Sequence, residues 1–234
     1  MKDIRVPVRF LLPLLYLLAM AAPVRAQHFN AGAITRDQGA QLYWANGAAF
    51  AASSGYVQSM TFADSGTYAN YYGSGLSLTA LPTTVANGGP VAGSAALSSF
   101  ISVRMTLFSA PEGASFAFWD TGSLTPTYNL SAGGTSPMWA LSDASLGAGQ
   151  LDGDPYGHIH GRRFTATMPG AYSIGFELFD TSGNGIGGDF IHPPSDMFTM
   201  NFQAVPVPEP STFAMIALGG GIFVAMACMS KRRN

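Results

Sequence analysis

Residues 151–180 read LDGDPYGHIHGRRFTATMPGAYSIGFELFD. Beyond the Pro169-Gly170 turn, Tyr172, Ile174, Phe176 and Leu178 alternate with smaller or polar residues, the period-two pattern of a strand with one buried face. Ahead of the turn stand His158 and His160, flanking Ile159. In an extended strand residues i and i+2 share a face about 6.6 Å apart. Ile159 is then expected to face the core, with both imidazoles on the other side, where they can converge on one ion.

The same alternation recurs on either side. Ile101, Val103, Met105 and Leu107 alternate with Ser102, Arg104 and Thr106. After Pro111-Glu112-Gly113, the run from Ser115 to Trp119 carries Phe116 and Phe118 inward and is expected to be the hairpin partner of that strand. Shorter β-rich runs lie at 41–44, 57–62, 67–72 and 76–81, with another at 138–142, separated by Gly, Asn and Ser. Segments 83–99 and 121–137 read as loops, and no Lys follows the glycines of the first, so it is not a phosphate loop. With no amphipathic helical period and no internal repeat, about nine or ten strands between Gln41 and Gln203 predict an all-β fold, a single antiparallel β-sandwich. Tyr68, Tyr71 and Tyr72 suit a sugar-stacking platform, but edge-strand packing is the commoner use of such aromatics.

Composition narrows the partners. Of 234 residues, 47% are hydrophobic and only 10% charged, with 28 Gly and 15 Pro, which favours a loop-rich β-protein over a helical one. Lysine occurs only at Lys2 and Lys231. Between 27 and 205 the cations are Arg36, Arg104, Arg162 and Arg163 against eleven carboxylates, a net charge of −7, so nucleic acid is a poor partner. The single cysteine, Cys228, lies near the C-terminus, which leaves the body no disulfide and no thiolate ligand. Histidine and carboxylate are its only strong metal ligands.

The two ends read as addresses. Residues 1–26 carry Lys2, Arg5 and Arg9, an apolar run from Phe10 to Ala22, and Val24-Arg25-Ala26, the pattern of a secretory signal peptide cleaved before Gln27. At the other end, 206–234, an apolar run at 213–229 precedes Lys231, Arg232 and Arg233 and predicts a transmembrane helix whose basic end stays cytoplasmic. The body at 27–205 is then a periplasm-facing ectodomain. Pro208-Glu209-Pro210, followed by Ser211-Thr212, one short span and the basic cluster, resembles the PEP-CTERM sorting signal. That resemblance implies a Gram-negative bacterium that makes extracellular polysaccharide, and an exosortase-type enzyme that cuts near the motif. The protein would pass from an inner-membrane anchor to the cell surface or extracellular matrix.

The chain has four histidines, His28, His158, His160 and His192, none in an ordinary hydrophobic run. His28 sits beside the expected mature terminus, where a solvated, frayed position is the usual role. His192 precedes Pro193-Pro194, which favours an extended backbone there. Zinc takes neutral imidazoles, three with a water or four in a closed site, so these four make a candidate zinc set. Gly157-His158-Ile159-His160, Arg163-Phe164-Thr165 and Pro169-Gly170-Ala171-Tyr172 resemble the His-x-His … Phe-Thr … Pro-Gly-x-Tyr pattern of bacterial surface-anchored domains that accompany zinc or manganese uptake systems. A PEP-CTERM branch repressed by the zinc-uptake regulator is similar too, including the start His28-Phe29-Asn30-Ala31-Gly32. These resemblances imply metal binding by the histidines. Asp152, Asp154, Asp189 and Asp196 suit calcium less than they suit turns, because their spacing is not that of an EF-hand.

The sequence thus predicts an exported, surface-sorted, non-catalytic protein that binds zinc through His28, His158, His160 and His192, in metal scavenging or homeostasis. The alternative is a glycan-binding or structural module of the polysaccharide matrix. A zinc hydrolase ranks third, since there is no HExxH helix and no GxSxG elbow, and Glu177, the only glutamate near the histidines, is expected on the solvated face of its strand.

Overall fold

The computed structural model describes residues 28–81, 91–120, 122–141, 158–159 and 163–206. The expected signal peptide, the transmembrane helix at 213–229, and His160, Asp152 and Asp154 lie outside the described residues. Among the described residues no helix is long and apolar enough to cross a membrane. In chain order the strands are β1 (His28–Ala33), β2 (Leu42–Trp44), β3 (Val57–Phe62), β4 (Tyr72–Ser74), β5 (Ser77–Ala80), β6 (Ile101–Ser109), β7 (Phe116–Trp119), β8 (Tyr128–Leu130), β9 (Trp139–Ala140), β10 (His158–Ile159), β11 (Arg163–Ala166), β12 (Gly170–Asp180) and β13 (Phe198–Ala204). The fold is all-β, as the sequence predicts.

The strands form a four-stranded sheet, β10-β5-β1-β2, and a nine-stranded sheet, β8-β7-β11-β4-β3-β13-β12-β6-β9. The two pack face to face through aromatic rings. Phe29 of β1 stacks on Trp44 of β2 with centroids 3.8 Å apart, and the same ring meets Phe198 of β13 at 4.7 Å and Phe176 of β12 at 6.3 Å. Tyr172, Ile174, Phe176 and Leu178 are all buried, as their alternation requires. The large sheet also curls: Phe118 on β7 stacks on Trp139 on β9 at 4.3 Å, although these strands lie near opposite ends of the sheet order.

Two pairings correct the purely antiparallel expectation. β1 runs parallel to β5, and β13 runs parallel to β3. Nor do β6 and β7 form a hairpin: β6 pairs with β12 and β9, whereas β7 pairs with β11 and β8. Matching alternation marks both as half-buried strands but carries no information about which edge joins which. His28, expected at a frayed terminus, opens β1 instead, and β8 lies within a segment expected to be loop. The run at 67–72 folds as turn until its last residue, Tyr72, which begins β4.

A corner links the sheets. β4 pairs antiparallel with β11 in the large sheet, and their continuations, β5 and β10, pair antiparallel in the small one. The two segments thus form one ribbon that changes sheet, crossing on one side at Gly75-Leu76, where the Leu76 N–H donates to Ser74 Oγ at 3.2 Å.

Gly32 illustrates how tightly the small sheet is covered. The chain at 91–96 crosses β1 there, with the Ala33 N–H donating to the Gly93 carbonyl at 2.9 Å. A Cβ on Gly32 would collide with that same carbonyl oxygen. Gly32→Ala is therefore expected to lower stability by about 1–3 kcal/mol, the usual cost of overpacking, as a lower urea midpoint with unchanged slope.

Candidate functional site

His28 and His158 come together on the small sheet. His28 pairs with Ser77 on one side of β5, and His158 pairs with Thr79 on the other. Phe29, Ala31 and Leu78 are buried in the core, so the alternating positions His28, Asn30, Ser77 and Thr79 belong to the opposite face. Among the described residues Thr79 Oγ1 has no hydrogen-bond partner, although it is buried. Asn46 pins the start of β1, accepting from the Asn30 N–H at 2.8 Å and donating from Nδ2 to the His28 carbonyl at 2.7 Å. Among the described residues no three His, Cys, Asp or Glu side chains form a group that could hold a metal ion.

His192 is held elsewhere and otherwise. It is fully buried, its Nδ1 donates to the Ala40 carbonyl at 2.7 Å, and its Nε2 accepts from the Ala96 N–H at 2.9 Å. That pattern is a neutral imidazole with both nitrogens engaged, so no lone pair remains for an ion. It also lies beyond the Ala33 end of β1, whereas His28 occupies the other end. The expectation that His192 completes the zinc set is thereby corrected: its ring is a bridge between two loops.

Asp180 completes this polar knot. Its Oδ1 accepts from the backbone N–H of Phe100 at 3.1 Å and of Ser182 at 3.0 Å; its Oδ2 accepts from Ile191 at 2.9 Å and His192 at 3.2 Å. Asp180, His192 and Ser195 are near in sequence but form no nucleophilic relay. The carboxylate binds backbone rather than imidazole, and Ser195 Oγ accepts from the Leu178 N–H and donates to the Asp196 carbonyl. Asp189 accepts from the next N–H, Phe190, at 2.8 Å, in keeping with a turn role. Glu177 is not merely solvated: it pairs with Arg104 at 2.6 Å, and that guanidinium also lies 4.5 Å from the Phe179 ring.

The conspicuous sequence pattern around these histidines turns out to build the fold. Tyr172 reaches back to donate to the Met168 carbonyl at 2.7 Å and accepts from the Met168 N–H at 3.3 Å, closing the Pro169-Gly170 turn. Gly170 has φ +133°, and a Cβ there would meet Pro111 at 2.6 Å. Thr165 accepts from Trp119 Nε1 at 2.7 Å, and Phe164 is core. Tyr68 and Tyr71 each pack edge-on against Trp119, with Arg163 over Tyr68 at 4.6 Å, so those tyrosines serve packing.

The body thus presents a β-fold with a histidine-bearing sheet, and what the chain carries beyond β13 defines its class: an exported, surface-sorted protein. Residues 206–233 match the PEP-CTERM protein-sorting motif, which includes Pro208-Glu209-Pro210. That signal is processed by an exosortase and implies transient membrane anchoring followed by surface release. The match covers this tail alone. No curated protein and no solved structure matches the chain.

Two outcomes follow from the knot and the turn. His192→Leu removes the partner of the half-buried Ala40 carbonyl and Ala96 N–H and is expected to lower stability by about 1–3 kcal/mol, measurable by urea denaturation. Burial raises the Tyr172 phenol above its ordinary 10.0. The stability this contributes is present below pH 10 and is lost as pH rises through the raised value, so Tyr172→Phe should flatten the alkaline limb of a stability–pH curve.

Proposed function

We propose that this is a non-catalytic surface protein that holds zinc on the outer face of its four-stranded sheet, in metal scavenging or homeostasis. Residues 1–26 direct export, the segment at 213–229 anchors the body to the inner membrane, and cleavage near Pro208-Glu209-Pro210 releases the body to the surface. The supporting observation is the register that sets His28 and His158 on either side of β5, two residues apart along it. With strands about 4.8 Å apart and a rise of about 3.3 Å per residue, their Cα atoms are separated by about 12 Å, a gap two imidazoles can close around one ion. His160, two residues on from His158 in the sequence, is the natural third ligand. Three imidazoles and a water give zinc its tetrahedral set in an open site. His192 takes no part in this set.

The full chain, purified in detergent, should retain about one zinc by mass spectrometry, as a single tetrahedral site requires. His28→Ala, His158→Ala and His160→Ala should each lose it, while His192→Gln keeps it. A wild-type protein that retains no zinc, and whose melting temperature does not move when zinc is added, would sink the proposal.

A further inference from the structure

The large sheet hands the chain to the sorting motif over a short distance. Ala204, the last residue of β13, pairs with Gly170 of β12, and the Val205 N–H then donates to the Met60 carbonyl of β3 at 3.2 Å. Pro206, the next residue, is exposed. A chain extends at most about 3.6 Å per residue, so Pro208 lies within about 7 Å of Pro206 in any conformation, and Pro210 within about 14 Å. The matched motif therefore begins against the end of the sheet.

That reach decides what touches this end. Even a 100-residue protein has a radius of gyration of about 13 Å. An enzyme whose cleft closes on Pro208-Glu209-Pro210 is thus wider than the gap to the body and has to rest against it. The bilayer is under no such constraint, because the apolar run begins only at 213 and up to about 25 Å of chain separates it from Pro206.

The surface that meets the enzyme is the rim beside β13. It holds the Met168-Pro169-Gly170 turn, with Pro169 exposed and Met168 41% exposed, and Val205, which is 49% exposed. Tyr172 Oη donates to the Met168 carbonyl and accepts from the Met168 N–H, and Gly170 packs so closely on Pro111 that a Cβ would stand 2.6 Å from its ring. The backbone that carries Met168 is fixed before a partner arrives, which lowers the ordering cost of binding.

We infer that this rim, with Met168 and Val205 as its apolar contacts, is where the exosortase-type processing enzyme docks on the body while it cuts the tail. The inference rests on the release step proposed above and not on the zinc site.

The test follows cleavage of the full chain by the mass of the released body, in vesicles of phosphatidylethanolamine and phosphatidylglycerol that carry the exosortase-type enzyme of the bacterium encoding this chain. Met168→Asp puts a charge into the contact but leaves the backbone bonds of the turn, so its urea midpoint should match wild type while cleavage slows about tenfold. Val205→Asp should behave in the same way. A Gly-Ser linker of about twelve residues between Val205 and Pro206 lets the body move roughly 20 Å away. In that lengthened chain Met168→Asp should be cut as fast as its parent. Cleavage of both aspartate variants at the wild-type rate overturns the inference, and so does an equal slowing in the lengthened chain.

Peroxide oxidation without the enzyme distinguishes it from lipid as the occupant. Met197 is equally exposed at 41% and precedes the other end of β13. The ratio of Met168 to Met197 oxidation should be the same in vesicles as in detergent; a lower ratio in vesicles assigns the rim to the bilayer and overturns the inference. A wild-type chain that is never cut removes the release step and the docking surface together, whereas a chain cut at one rate with or without Met168→Asp and Val205→Asp removes the docking surface alone.

Discussion

The fold depends on one buried carboxylate. Asp180 stands at the end of β12 and takes four backbone N–H groups, two from segments beyond its own strand on one side and two from the chain just before Pro193. Irregular chain cannot be buried unless its polar groups are paired, and the segments here have no ladder to pair with. A charged acceptor supplies what a neighbouring strand would otherwise provide, through bonds stronger than those between neutral groups. His192, placed by that carboxylate, passes the connection on to Ala40 and Ala96 through its two ring nitrogens. Three loops that share no secondary structure are thereby fixed against one end of the sandwich.

With that end fixed, the other features fall into place. The segment at 91–96 is held down on β1, which is why position 32 admits only glycine. The β4–β5 and β10–β11 ribbon turns the corner between the sheets, so the backbone at His158 enters the small sheet while the Phe-Thr pair that follows enters the large one. One short stretch of chain thus serves both layers.

Much of this architecture was legible in the sequence, and its failures have physical reasons. β6 and β12 declared themselves because nine and eleven residues of alternation leave one face buried whatever the neighbours are. Strands of three residues, such as β8, give too few alternations to register. Pairing was not legible, since an antiparallel hairpin and a distant partner bury the same side-chain pattern. The histidines divide in the same way. The spacing of His158 and His160 marked an alternate pair, and the register then set the first of them near His28. His192 could not be read, because its partners are main-chain atoms 152 and 96 residues away that any sequence would provide. Aromatic and Pro-Gly-x-Tyr motifs near the histidines looked functional, yet Tyr172 and Thr165 spend their hydroxyls on Met168 and Trp119.

The position of β13 has a kinetic consequence. It is the last strand in the chain, yet it lies inside the large sheet between β3 and β12, and its pairing with β3 is parallel and spans well over a hundred residues. Without it the sheet is two pieces, five strands on one side and three on the other. Contacts of such high sequence separation close late, because the entropy of the intervening loop is lost before they form. As the chain is made from its N-terminus, the body therefore cannot close until residue 204 has emerged, and the sorting motif follows at 206. Completion of the fold and presentation of the sorting signal are thus nearly one event, which keeps the processing enzyme's substrate attached to a body that has only just become able to fold.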